Sequence, residues 1–318
     1  MINPKVTILN IADTIVRMQS KFPLEQLSKE EEKMLFTERF NNFLYKGEKK
    51  PDIFIYVDIV DKLPKICNVK PLFTTYHFQD GSKNWELFKK GGMYIYRCML
   101  EDKRQLMLIN RNFDKVNAYL LPKRDKGRVW NSTDIIYDFL QVLLINYFAQ
   151  RGEGIFVHGM GIKDGNKGGL LFAGNSGCGK TTMARLWHRY SSAMVLNDDR
   201  IIVRRLNGNF FIYGSPWHGE FSDYLASRIE SAPLKKIFFL HHSPKNNVKE
   251  ISIKEAFNLL YPAMFPTFWD RKCIERIVSF NLEVVNNVSC FFLGFKNDKK
   301  VIRFVRNLER RCNEKNKV

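Results

Sequence analysis

Residues 168–190, GGLLFAGNSGCGKTTMARLWHRY, limit the possible folds of this chain more than any other stretch. The run GGLLFAG has the length and apolarity of a buried strand, and TTMARLWHRY reads as a helix. Between them, Gly174 to Thr181 match G-x-x-x-x-G-K-[ST] at every position. Glycines at Gly174, Gly177 and Gly179 let the backbone turn sharply and carry its N–H groups inward, where they can cradle a polyphosphate. Lys180 can reach the outer phosphates, and the Thr181 hydroxyl can ligate Mg²⁺. The positive end of the following helix faces the same anion. The candidate nucleotide-binding set is therefore Gly174, Asn175, Ser176, Gly177, Cys178, Gly179, Lys180, Thr181 and Thr182. A chance glycine-rich turn is the competing reading, but the flanking strand and helix favour the loop. Cys178 reads as a bystander whose thiol, beside bound phosphate, would be sensitive to alkylation.

A chain of 318 residues predicts about two domains. At 45% hydrophobic residues it can build real cores. No apolar run approaches the ~18 residues of a membrane helix, and the N-terminus lacks the pattern of a signal peptide. The six cysteines form no C-x-x-C pair, so neither a zinc site nor a disulfide framework is expected. Reduced thiols in a cytoplasm are the simplest expectation. The formal charge of +18 admits nucleic acid, acidic partners and anionic substrates. Lys and Arg are spread along the chain, however, as on a solvated surface, and no helix-turn-helix, zinc or RNP signature accompanies them. The tail RNLERRCNEKNKV is the densest basic cluster.

Residues 1 to about 50 read as mostly helical. Ser28 and Glu31 form a capping-box pattern, and Met34, Leu35, Phe40 and Phe43 fall roughly on one face. DIFIYVDIV, LFTTYHFQ, GMYIYRCML, RQLMLINR and KVNAYLLP then read as an antiparallel meander, with His77 as a strand residue. NSTDIIYDFLQVLLINYFAQRGEG reads as a helix. It leads into a second domain, so the expected division is 1–130, an N-terminal helix plus β-meander domain, and 131–318, a nucleotide-binding domain. From residue 154 strands recur: GIFVHGMGI, GGLLFAG, AMVLNDDRIIVRR, NFFIYGSPW, KKIFFLHH and SCFFLGF. Helices are expected at 180–190, at about 254–264 and at 267–280. The expected class is α/β, or α+β overall, with a mixed sheet and helices around the loop.

Two features downstream of the loop bear on chemistry. LNDDRIIV ends a strand on Asp198 and Asp199. One carboxylate of such a pair can hold Mg²⁺, and the other can act as base toward a hydroxyl. A surface Asp-Asp turn is the bland alternative. His158, in IFVHGMGI, closes a strand expected to neighbour the loop strand; a lone histidine is usually structural.

Strand–HG, a hairpin, strand–G-x-S-G-x-G-K-[ST]–helix and strand–DD, in that order, resemble the HPr kinase/phosphorylase family. That fold is grouped with the ATP-dependent phosphoenolpyruvate carboxykinases. The resemblance spans roughly residues 135–300. It implies that Lys180 contacts the β- and γ-phosphates of ATP and that Thr181 ligates the metal. Asp198 would be the base that activates the acceptor hydroxyl, Asp199 would assist the metal, and His158 would lie beside the transferred phosphate. The chain departs from the family after the paired aspartates: the Glu-containing Arg-Gly signature is replaced by YGSPWHGEF. Glu220 is then the candidate for the missing metal carboxylate, and Trp217 and His218 are candidates for the acceptor pocket. No phosphoenolpyruvate-binding segment is matched, so neither HPr nor oxaloacetate is indicated as substrate. Related proteins phosphorylate precursor peptides or free serine. The implied activity is an ATP- and Mg²⁺-dependent kinase acting on a hydroxyl of a protein, peptide or small molecule, and relatives assemble as homo-oligomers. Arg185, Arg204, Arg205 and Arg228 could meet an acidic or phosphorylated partner. A non-catalytic nucleotide-binding scaffold is the alternative, with the meander domain gripping a peptide by strand addition.

Overall fold

Strand pairing organises the chain, and the pairing is mixed in both of its sheets. The computed structural model describes residues 5–25, 40–76, 81–100, 103–124, 126–219 and 229–315. These residues divide into two units, 1–151 with 267–274, and 152–266 with 275–318.

The first unit carries β1 (Lys5–Ile11), β2 (Thr14–Ser20), β3 (Ile53–Ile59), β4 (Phe73–Tyr76), β5 (Lys83–Lys90), β6 (Met93–Leu100), β7 (Lys103–Ile109) and β8 (Lys115–Leu120). Their order across the sheet is β1-β2-β3-β8-β7-β6-β5-β4. Residues 5–20 are therefore a hairpin, not the expected helix. The turn Ala12-Asp13 holds both residues at positive φ, the geometry of a two-residue hairpin turn. Ala-Asp lacks the usual Asn-Gly or Asp-Gly signal, which is why the turn escapes a reading by composition. The proposed cap at Ser28 and Glu31, with Met34, Leu35 and His77, lies outside the described residues. The sheet is also not a simple meander, because β2–β3 and β3–β8 pair in parallel. β5 was not expected; KNWELFKK hides its buried centre between charged ends. The helix expected after residue 130 starts with a turn at Thr133–Ile135, passes through a π-helical stretch Ile136–Leu140 and continues as α1 (Gln141–Arg151). It packs in the first unit, where Phe139 meets Tyr96 at 5.2 Å.

The second unit carries β9 (Gly154–Lys163), β10 (Gly169–Ala173), β11 (Met194–Asn197), β12 (Arg200–Leu206), β13 (Asn209–Tyr213), β14 (Ser231–His242), β15 (Asn247–Glu250) and β16 (Ser289–Phe295). The helices α2 (Lys180–Tyr190), α3 (Ile253–Leu260), α4 (Arg271–Asn287) and α5 (Lys300–Lys315) follow in chain order, with the first residues of α4 counted in the first unit. The pairings β10–β9–β12–β13–β14–β10 close on themselves, while β11 extends from β9 and β16–β15 from β14. β10, β14 and β16 run parallel, with Phe172, Phe238 and Phe291 in register. Their rings stack at 5.1 and 5.5 Å, and this ladder joins Met183, Trp187, Val301 and Val305 in one buried core. Aligned C-terminal strand ends and a helix pressed against the sheet are the result. Residues 306–315 of the C-terminal tail, expected only as a charged cluster, continue the amphipathic helix α5. Val301, Ile302, Val305 and Leu308 are its buried stripe, at the spacing of one helix face.

The β9–β10 hairpin depends on Gly168. Its backbone sits at φ 89° and ψ −155°, a region open essentially to glycine. A Cβ there would lie 2.9 Å from the Pro233 carbonyl oxygen. Gly168→Ala should therefore lower the thermal midpoint by the equivalent of about 1–3 kcal/mol. Gly165→Asn, at a left-handed position with open space around it, should cost less than about 1 kcal/mol. Thermal melts of the two variants followed by circular dichroism check the ranking.

Candidate functional site

The loop between β10 and α2 lies at the C-terminal end of the parallel strands, where α/β sheets bind ligands. Gly174, Gly177 and Gly179 all adopt positive φ. Gly179 is further constrained, because a Cβ there would meet the Phe295 ring at 2.6 Å. Asn175, Ser176 and Gly177 are exposed at the loop tip, whereas Lys180 is buried. The Lys180 ammonium donates to the carbonyl oxygens of Gly174 (2.9 Å) and Asn175 (3.1 Å) and lies 4.0 Å from the Cys178 sulfur. The cation thus bridges the loop's own carbonyls. Thr181 and Thr182 are half-buried in the first turn of α2, where helix N–H groups lack intrahelical partners.

β11 runs antiparallel to β9, which runs antiparallel to β10. β11 is therefore parallel to β10, and Asp198 and Asp199 emerge at the loop's end of the sheet. Asn197 shapes their turn. Its side-chain oxygen accepts from the amides of Asp199 and Arg200, both at 2.8 Å. Its side-chain nitrogen donates to the carbonyls of Ser215 (2.9 Å) and Trp217 (2.7 Å). Asn197 is wholly buried, and its donors and acceptor bind the DD turn to the GSPW segment in an Asx-type turn. Asp198 is buried at 3% exposure, and one of its oxygens accepts from the Gly219 amide at 2.9 Å. Asp199 is more open. His158 Nε2 donates to Asp199 Oδ1 at 2.9 Å, Arg200 pairs with its other oxygen, and the Gly159 amide bonds its backbone carbonyl at 3.1 Å. Burial pushes the Asp199 carboxyl up, but the His158 hydrogen bond and the charges of Arg200, His158 and Lys180 together hold it below its ordinary value. The loop lysine is thus electrostatically coupled to the second aspartate.

Lys180, Asp198, Asp199 and His158 are brought to one end of one sheet. Glu220 and Arg228 lie outside the described residues. Trp217 is buried with its ring 5.9 Å from Phe156, a packing role, and His218 Nδ1 lies 2.6 Å from the Gly219 carbonyl. Arg204 and Arg205 pair with Glu153 and Glu283, while Arg185 is exposed on α2. Two contributors escape the sequence. Asn197 could have been found as an Asx residue ahead of the aspartates. His242, at the end of β14, holds the Gly177 carbonyl at 3.0 Å, a contact that only the parallel register creates.

Among the described residues no three His, Cys, Asp or Glu side chains converge into a metal cluster. Thr181 offers a hydroxyl in the first turn of α2, and Asp199 a carboxylate at the same end of the sheet; oxygen donors of this kind suit a hard cation such as Mg²⁺. Among the described residues no helix is long and apolar enough to cross a membrane.

No protein-family model matches the chain, and no curated protein does. Among solved structures, the Hpr(Ser) kinase/phosphatase from Coxiella burnetii is 11% identical, over 51% of this chain and 92% of that one, with a TM-score of 0.29.

Asn197→Ala should unfold at a lower denaturant midpoint, by about 1–3 kcal/mol, because it orphans several buried partners. Asp199 gives a pH signature. Its folded pKa lies below the ordinary value of 3.8, so its contribution to stability is whole above about pH 4 and is lost as the pH falls further. Asp199→Asn should flatten the acid limb of the stability profile below about pH 4 and leave its alkaline limb unchanged, as denaturant midpoints across the acid range would register.

Proposed function

We propose that this chain is an ATP-dependent kinase of the HPr-kinase-like group, transferring the γ-phosphoryl group of ATP to a serine-type hydroxyl. The carrying observation is the gathering of a loop lysine, a buried aspartate and a histidine-bonded aspartate at one end of the same sheet. A phosphate cradle alone requires only the loop. The paired aspartates, held by a buried asparagine, add the base that a phosphoryl transfer to a hydroxyl needs.

In this reading the loop 174–181 and Thr182 hold the polyphosphate through backbone N–H groups. Lys180 leaves the carbonyls of Gly174 and Asn175 for the outer phosphates and offsets charge on the transferred group. Asp198 accepts the proton of the acceptor hydroxyl, and the Gly219 amide orients its carboxylate. His158 bonds Asp199 and so sets the rotamer of that side chain. Thr181, Asp199 and Glu220 would hold Mg²⁺, which when bound neutralises phosphate charge. The acceptor is a hydroxyl on a protein, peptide or small molecule, and the proposed setting is cytoplasmic, with a homo-oligomer as in the family resembled. Preorganised electrostatics supply most of the rate in such a site.

Purified protein, Mg²⁺ and γ-labelled ATP, incubated with fractionated cell extract, test this directly. Label should enter one fraction with the wild type only. Asp198→Asn should lower transfer by about 10²–10⁴-fold while ATP affinity changes little, and Lys180→Ala should weaken both. Tight ATP binding without any transfer would replace the kinase with a nucleotide-binding scaffold.

A further inference from the structure

A second concentration of positive charge lies in the second unit, away from the phosphate loop. Lys167, Tyr190, Lys299, Ile302, Arg303, Arg306 and Asn307 line a pocket of about 430 Å³. Lys167 is presented by the tight Gly165–Lys167 turn of the β9–β10 hairpin. Lys299 precedes α5, and Arg303 and Arg306 lie one turn apart along it. Tyr190 ends α2, whose first residue is Lys180. Eleven helical residues at about 1.5 Å each separate the two ends by roughly 16 Å, so this is not the nucleotide site seen from behind.

The pocket has a fixed floor. Arg306 is held by Asp164 through both carboxylate oxygens, at 2.8 and 2.5 Å, and its guanidinium lies over the buried Trp187 ring at 5.3 Å. Asp164 is itself buried, and its amide and carbonyl are tied to Gly168 and Lys167. Arg306 is therefore rigid and its charge is largely answered. The other three cations are exposed, and among the described residues no carboxylate pairs with them. A surface that merely keeps a protein soluble intersperses both signs; here three unanswered cations share one concavity.

We propose that this pocket is a second anion site, which takes a compact ligand carrying two or more phosphoryl groups. An open concavity of this size suits a small ligand. Arginine forks and lysine point charges together are the donor set for phosphate oxygens. An oligophosphate of three to four negative charges would match the three exposed cations, with Asn307 as a further donor. The site is independent of the kinase reading.

Calorimetric titration of the full chain with inorganic pyrophosphate tests it. The wild type should show two binding events, one at the loop and one here. Lys180→Ala should retain one event. Adding Lys299→Ala and Arg303→Ala to that background should weaken the remaining event by about tenfold or more, at an unchanged melting temperature. Lys62→Ala with Lys65→Ala, an equal loss of charge at exposed lysines elsewhere, should leave it within about twofold. A phosphoserine peptide titrated in parallel tests the charge requirement: pyrophosphate should bind at least about tenfold tighter, and equal binding would overturn a ligand of two or more phosphoryl groups. Loss of all pyrophosphate binding in Lys180→Ala would overturn the proposal. So would equal weakening by the pocket pair and the control pair.

Discussion

The parallel pairing of β10 with β14 is the contact on which the second unit depends. It closes the ring β10–β9–β12–β13–β14, and it sets Ala173 opposite Phe239. The loop after β10 therefore opens beside His241 and His242. The register is held by the stacked rings of Phe172, Phe238 and Phe291, each buried. Full burial of such a side chain contributes about 1.5–3 kcal/mol, whereas a typical net hydrogen bond contributes about 1 kcal/mol. The aromatic ladder thus dominates the energetics of the junction, and the polar groups at its end are carried where the ladder puts them.

Those polar groups are arranged by a different kind of constraint. Asn197 contributes little apolar area, but its burial makes each of its bonds obligatory. Its oxygen turns the chain at Asp198 and Asp199, and its nitrogen holds the GSPW segment beneath them. One aspartate ends up buried against the Gly219 amide. The other is more open, between His158 and Arg200. Two adjacent and chemically identical residues thereby acquire different environments, which is the usual way for two carboxylates to take different tasks.

The net charge also resolves into parts. Arg204, Arg205 and Arg306 are spent on ion pairs with Glu153, Glu283 and Asp164. In the first unit, Lys83 and Arg97 flank the buried Glu86, and Lys123 and Lys126 share Glu25. Burial pushes the Glu25 and Glu86 carboxyls up, and their paired cations bring both below the ordinary value. Lys167, Lys299 and Arg303 stand apart from this pattern. Sequence could count these cations but could not sort them, because pairing is set by residues far apart in the chain.

The glycine-rich loop 174–181, its strand and its helix were legible in the sequence, because all their requirements are local: glycines where φ is positive, an apolar run before and a helix pattern after. Most of the later strands were legible for the same reason. The hairpin of β1 and β2 was not, since Ala12 and Asp13 take positive φ without the residues that usually announce it. Nor was α5, whose apolar positions are diluted among charges. The strand order, the closed ring, the His158–Asp199 bond and the place of His242 beside the loop came only from tertiary structure. Each joins residues separated by dozens of positions, and their meeting is decided by which apolar faces pack, not by any local preference of the chain.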